Sequence, residues 1–114
     1  MNRLKERTDY ETFQKLDIRI GRIISVDSFP EARKPAYKLK IYFGDDIGIL
    51  NSSAQITNYK PEDLLGRLVV AVVNFPPKRV ANFISQVLVL GSITKDGVKL
   101  LSVDEGAVPG DYVA

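Results

Sequence analysis

The chain has 114 residues, of which 45% are hydrophobic and 26% charged, and this fits one globular domain with its own core better than disorder or two domains. It contains no cysteine and no histidine, which removes disulfides, most zinc sites, Cys–His nucleophiles and the usual general base near neutral pH. Sixteen basic against fourteen acidic residues leave a net charge of only +2, but the charge is unevenly spread: the segments 1–40 and 75–100 are basic and the rest is acidic. Two separated basic segments that meet in the fold would favour an anionic partner; charges scattered over a solvated surface are the plainer alternative.

The N-terminus, MNRLKERTDYETF, lacks the apolar stretch of a signal peptide, and the longest aliphatic run, Leu68 to Val73, is too short to cross a bilayer. A soluble cytoplasmic protein is expected. Thr8-Asp9-Tyr10-Glu11 fits a capping box with Thr8 as the cap, so a short helix should run to about Lys15 with Tyr10 and Phe13 on one face. From Asp17 the period becomes two. Ile18, Ile20, Ile24 and Val26 share one side of a long half-buried strand, and Gly21 marks a bend or bulge.

Phe29 to Pro35 is a loop that carries Arg33 and Lys34. Tyr37, Leu39, Ile41 and Phe43 alternate with Lys38 and Lys40 in a second strand. Gly44-Asp45-Asp46 turns it into a third, Ile47 to Ser53. Pro61 to Leu65 is a short helix that ends at Gly66. Leu68 to Val73 is apolar on both sides and reads as a central strand. Asn74 to Ile84 is a loop, Val87 to Leu90 a fifth strand, and Lys95-Asp96-Gly97 turns into a short pairing strand at Val98 to Leu101. Five core strands with a helix between the third and fourth indicate an all-β, five-stranded OB-fold barrel with short helices. An SH3-like barrel or a small sandwich is the alternative. Residues 1–16 form a helical N-terminal extension and 92–114 a C-terminal β extension of a single domain spanning 1–114.

The adjacent carboxylates Asp45-Asp46, Glu62-Asp63 and Asp104-Glu105 fall in turns, a helix start or the tail, with nothing nearby to separate their pKa values. Ser52 and Ser53 have no histidine partner, and no phosphate-cradling glycine loop occurs. An enzyme, a metal site and a bound cofactor are all unexpected. The segment Asn74 to Gln86 is the most informative, because it places an amide, two cations (Lys78, Arg79), two aromatics (Phe75, Phe83) and the Ser85 hydroxyl within thirteen residues. In an OB-fold the loops after strands one and four border the binding face, so Arg33, Lys34, Lys78 and Arg79 are candidate phosphate contacts. Phe75 and Phe83 either offer stacking surfaces or close one end of the barrel. Ser52, in the run Asn51 to Gln55, either meets a ligand or serves the turn that follows.

Several blocks together resemble a known family. Leu16 to Ile23, Phe29 to Arg33, Ser52 to Thr57, Tyr59 to Glu62, Ala71 to Arg79 and Val87 to Gly91 are similar to the tRNA-binding domain. That domain occurs in standalone tRNA-binding proteins and at the C-terminus of methionyl-tRNA synthetases, and the nearer likeness is to its CsaA-type chaperones. The resemblance implies an OB-fold acting as a homodimer, tRNA binding, and chaperone-like binding of unfolded preprotein segments linked to export. It implies binding roles for Arg33, Asn74, Lys78, Arg79 and Ser85, with Phe75 and Phe83 lining the same region. Asn82, Ile84 and Gln86 depart from the family pattern of glycine, a polar or basic residue, and glutamate. Ile84 tilts the expectation towards a peptide. The alternative function is a purely polypeptide-binding export chaperone with only non-specific nucleic-acid affinity.

Overall fold

The computed structural model describes residues 3–114. A five-residue helix, α1 (Tyr10–Gln14), precedes β1 (Ile18–Ser28), β2 (Tyr37–Tyr42) and β3 (Ile49–Ala54). Then come α2 (Pro61–Leu64), β4 (Leu68–Val72), β5 (Lys78–Val80), β6 (Phe83–Ser85), β7 (Leu88–Val89), β8 (Gly91–Thr94) and β9 (Gly97–Leu100). The main sheet has the antiparallel order β3-β2-β1-β4-β7, and it curls until β3 meets the chain entering β7. The result is a nearly closed five-stranded barrel of the OB type, with β5–β6 and β8–β9 as separate two-stranded hairpins.

The barrel interior holds Ile23, Leu39, Ile41, Phe43, Val69 and Ala71. β4 is apolar on both sides because it serves two cores: Val69 and Ala71 face the barrel, while Val70 and Val72 join Ile18 and Ile20 in a second cluster. Val103 and Val113 of the C-terminal segment pack against that second cluster. Its backbone also pairs with β1, with Gly110 and Val113 donating to the carbonyls of Ile20 and Ile18 at 2.8 and 2.9 Å. Arg19 fastens this segment from its side chain. Its guanidinium lies 3.7 Å from the centre of the Tyr112 ring, donates to the Gly110 carbonyl at 3.1 Å, and pairs with Asp17 at 2.6 Å. The Asp17 hydrogen bond holds that guanidinium above its ordinary value.

Four expectations are corrected. The cap of α1 is Asp9, not Thr8: its carboxylate accepts from the Thr12 backbone N–H at 2.8 Å and the Thr12 hydroxyl at 2.7 Å. In β1 the side exchanges partway along. Gly21 and Ile23 face the barrel while Ile24, on the side of Ile18 and Ile20, is 43% exposed; the register shift between Ile23 and Ser25 then turns Val26 towards the barrel, so the even positions do not share one side. Gly21 is not itself the bulge; it gives clearance, because a Cβ there would lie 2.6 Å from both Ile41 Cγ2 and Phe43 Cε1. Finally, 78–85 is a β-hairpin where a loop was expected. Elsewhere the barrel differs from expectation only at strand ends, the third strand running Ile49–Ala54 and the fifth Leu88–Val89. Pro61 opens α2, Leu64 plugs the barrel, and Gly66 ends the helix at φ +81° with its N–H on the Ile23 carbonyl.

Candidate nucleic-acid interface

Two rim segments far apart in sequence lean on each other. Phe29, at the start of the loop between β1 and β2, is buried and meets Phe83 edge to face, with ring centres 5.6 Å apart. Phe83 belongs to the β5–β6 hairpin, where Lys78 pairs with Ser85, Arg79 with Ile84 and Val80 with Phe83. The two-residue turn, Ala81-Asn82, puts Ala81 at φ +53°, a conformation that favours glycine. The Arg79 Nε–H donates to the Ala81 carbonyl at 3.1 Å and steadies that turn.

Below the hairpin, side chains complete the barrel seam. The Ser53 N–H donates to Ser85 Oγ at 3.0 Å, the Asn51 N–H to Gln86 Oε1 at 2.9 Å, and Ser52 Oγ to the Val87 carbonyl at 3.2 Å. Backbone bonds from Gln86 and Val87 to the Asn51 carbonyl finish the junction. Backbone groups that a regular ladder would pair are thus satisfied by a serine and an amide.

Between the loop, the hairpin and the β8–β9 arm lies an open groove of about 1420 Å³. Arg33 and Lys34 line it from one side, Lys78 and Arg79 from another, with Glu31 as the one carboxylate in the lining. Four cations against one carboxylate give the lining a net charge of +3. None of the four forms an ion pair among the described residues. Phe75, Leu88 and Ile93 add apolar surface, being 44%, 50% and 84% exposed.

Six of the residues singled out from sequence therefore share one groove: Arg33, Lys34, Phe75, Lys78, Arg79 and Ser85. Three do not line it. Ser52 is 1% exposed and spends its hydroxyl on the seam. Phe83 packs on Phe29 beneath the hairpin. Asn74 lines a separate hollow of about 480 Å³ beside Tyr10, Phe13 and Tyr112. Its Oδ1 accepts from the Asp17 N–H and its Nδ2 donates to the Lys15 carbonyl, both at 2.8 Å, so it ties the N-terminal segment to the end of β4. Sequence reasoning left out Gln86 and Ile93. Gln86 stood within the informative segment; Ile93 gave no signal, since a lone isoleucine in a tail strand reads as core.

The family model described as "Putative tRNA binding domain" matches residues 18–112, more than four-fifths of the chain. The chain belongs to the tRNA-binding domain family. Among solved structures, the CsaA chaperone protein from Picrophilus torridus is 63% identical, with a TM-score of 0.91 over 95% of this chain and 100% of that one. The chaperone CsaA from Bacillus anthracis is 48% identical, with a TM-score of 0.89 over 96% of this chain and 100% of that one. The methionine–tRNA ligase of Neisseria meningitidis serogroup C is 34% identical over 113 residues, which are 97% of this chain and 16% of the ligase. The chain thus spans about one-sixth of the curated ligases that it matches.

The side chains that line the groove are suited to binding an anionic ligand. Ammonium and guanidinium groups attract phosphate oxygens, and an exposed ring offers a face to a base. Among the described residues, no three Asp or Glu side chains gather closely enough to hold a metal ion, and no helix is long and apolar enough to cross a membrane.

Proposed function

We propose that the groove binds tRNA, with Arg33, Lys34, Lys78 and Arg79 on phosphates and Phe75 as a stacking face. The observation that carries this is the meeting of two cation pairs, some forty-five residues apart in sequence, on one surface with a single carboxylate. Ser85 Oγ, already an acceptor for the seam, keeps its own proton for a phosphate or sugar oxygen. Ser52, Asn74 and Phe83 then act by holding the groove's shape and the N-terminal segment. tRNA as ligand implies a cytoplasmic protein that acts without catalysis or a cofactor.

A second reading has one observation in its favour. Phe75, Leu88 and Ile93 give the same groove an apolar stripe, suited to extended segments of unfolded preproteins handed to export machinery. The two readings differ in salt dependence, since phosphate contacts weaken steeply with salt and apolar contacts do not. The test is to replace Lys78 and Arg79 by alanine and to measure binding of tRNA and of an unfolded polypeptide side by side. Loss of tRNA binding supports the first reading; the second, which rests on apolar contacts, predicts polypeptide binding that is kept in this variant and at high salt and is lost with Ile93→Ala.

A homodimer is part of the proposal. Tyr10 and Phe13 stack at 6.4 Å on an α1 with no buried residue, and with Leu16 and Tyr112 they expose apolar surface around the smaller hollow. A second copy covering it would present two grooves to one elongated ligand and add avidity. A monomeric mass at micromolar concentration would refute the dimer.

A further inference from the structure

The β8–β9 arm lines the groove through Gly91, Ile93 and Val98, yet its two strands pair only with each other. Val98 packs against the barrel cluster and Leu100 is buried in it, whereas Ile93 is 84% exposed. Among the described residues, two hydrogen bonds join the arm, residues 91–100, to the rest of the molecule. Asn58 Nδ2 donates to the Val98 carbonyl at 3.1 Å, and the Leu100 N–H donates to Tyr59 Oη at 3.0 Å. Both partners are neighbours in the turn before α2. Tyr59 is anchored to the barrel on its other sides. Its N–H donates to the Ile56 carbonyl at 3.0 Å, its carbonyl accepts from Tyr37 Oη at 2.8 Å, and the Arg67 guanidinium lies 5.2 Å from the centre of its ring. Tyr37 opens β2 directly after the loop that carries Arg33 and Lys34, so one residue connects the strand leaving the cationic loop with the arm. Asn58 can approach because position 97 is glycine; a Cβ there would lie 2.9 Å from Asn58 Cγ. Neither Asn58 nor Tyr59 lines the groove.

We propose that Tyr59, with Asn58, is a positioning residue of the binding groove: the pair fixes the arm and so sets the width of the groove without touching the ligand. This rests on the reading of the groove as a tRNA site. Loss of either bond leaves the arm with one hydrogen bond to the barrel, beyond its root at Leu90 and Leu101. The arm is then displaced for part of the time, and the apparent affinity falls with the fraction of molecules that keep the groove formed. No cation is removed, so the number of phosphate contacts and the salt slope stay those of the parent.

The experiment compares the parent chain, Tyr59→Phe, Asn58→Ala and Lys78→Ala. Each is titrated with bulk deacylated tRNA across salt, well below its melting temperature, and followed by amide hydrogen exchange. Y59F keeps the ring and removes one hydrogen bond, so it should bind tRNA about three- to tenfold more weakly at every salt concentration. Its plot of log K against log salt should run parallel to the parent's. Exchange should quicken within 91–100 and stay unchanged in β1 and β4. N58A should act in the same direction and, as a change at an exposed side chain, carries the test if Y59F does not fold. K78A should instead make the slope shallower by about 0.8. A purely structural role for Tyr59 would lower the melting temperature and leave the affinity of the folded protein at the parent's. If Y59F and N58A bind tRNA as the parent does while K78A binds more weakly, the inference fails and the tRNA reading stands. If exchange in the arm is unchanged, or quickens equally across the barrel, the pair does not hold the arm and the inference fails. If the parent chain does not bind tRNA at about 50 mM salt, the reading and the inference fall together.

Discussion

Replacing Gly21 with alanine should destabilise the barrel, although glycine in a strand is ordinarily a weakness. In general, Gly→Ala at a compatible backbone gains about 0.4–1 kcal/mol by restricting the unfolded chain. Here the new Cβ would sit 2.6 Å from Ile41 Cγ2 and Phe43 Cε1 and 2.9 Å from Phe43 Cδ1. Unstrained carbon atoms stay about 3.5–4.0 Å apart, so relief requires a shift of about 1 Å. Ile41 and Phe43 are 0% and 1% exposed and have nowhere to go. Overpacking of such a core costs about 1–3 kcal/mol, and this site belongs at the upper end, which leaves a net loss of about 1.5–2.5 kcal/mol. At about 4 °C per kcal/mol for a domain of this size, the melting temperature should fall by about 6–10 °C. A double-mutant cycle with Phe43→Leu tests the cause. Leucine has no Cε1, so the closer of the two Phe43 contacts is removed, and the double variant should be more stable than the sum of the singles by about 1 kcal/mol. A Gly21→Ala protein within 0.5 kcal/mol of the parent, or an additive cycle, would refute the packing account.

Asn74→Ala should release the N-terminal segment by removing two hydrogen bonds, destabilising the protein by about 1–2 kcal/mol. Amide exchange at Asp17 should quicken while the salt slope of tRNA binding stays that of the parent. Asp9 is held below its ordinary 3.8, first by the Thr12 hydroxyl and then by the Thr12 N–H. A depressed folded-state pKa means that the cap's contribution is present above about pH 3.8 and is lost as pH falls through the lowered value. Exchange of the Thr12 amide in acid should rise over that window and not above it.

The alternation of β2, the apolar β4 and the punctuation of α2 were readable because one or two neighbouring residues decide each of them. What could not be read depends on partners far away in the chain. Ile24 and Val26 fall on opposite sides because a register shift set by the pairing of β1 with β2 lies between Ile23 and Ser25, and no local pattern announces it. Asn74 was expected as a ligand contact through the family resemblance. Its actual partners lie 57 and 59 residues back. Ser52 likewise finds Val87 thirty-five residues on. The β5–β6 hairpin went unseen because its turn has no glycine and two prolines precede it; Ala81 takes the positive φ that a glycine would have signalled. The cations were the reverse case. The first and fourth connections of an OB barrel border its binding face, and here the β5–β6 hairpin reaches back to Phe29, which brings Lys78 and Arg79 to Arg33 and Lys34.

The central claim is that these four cations act as one surface on one anionic ligand, and a salt titration of tRNA binding tests it most directly. The parent chain should give a slope near −3 in log K against log salt, about −0.7 to −0.9 for each of four phosphate contacts. Arg33→Ala and Lys78→Ala should each make it shallower by about 0.8. Lys95→Ala, in the β8–β9 turn outside the groove lining, should leave it unchanged. Equal slopes for the parent and both groove variants, or an equal change with Lys95→Ala, would contradict the account.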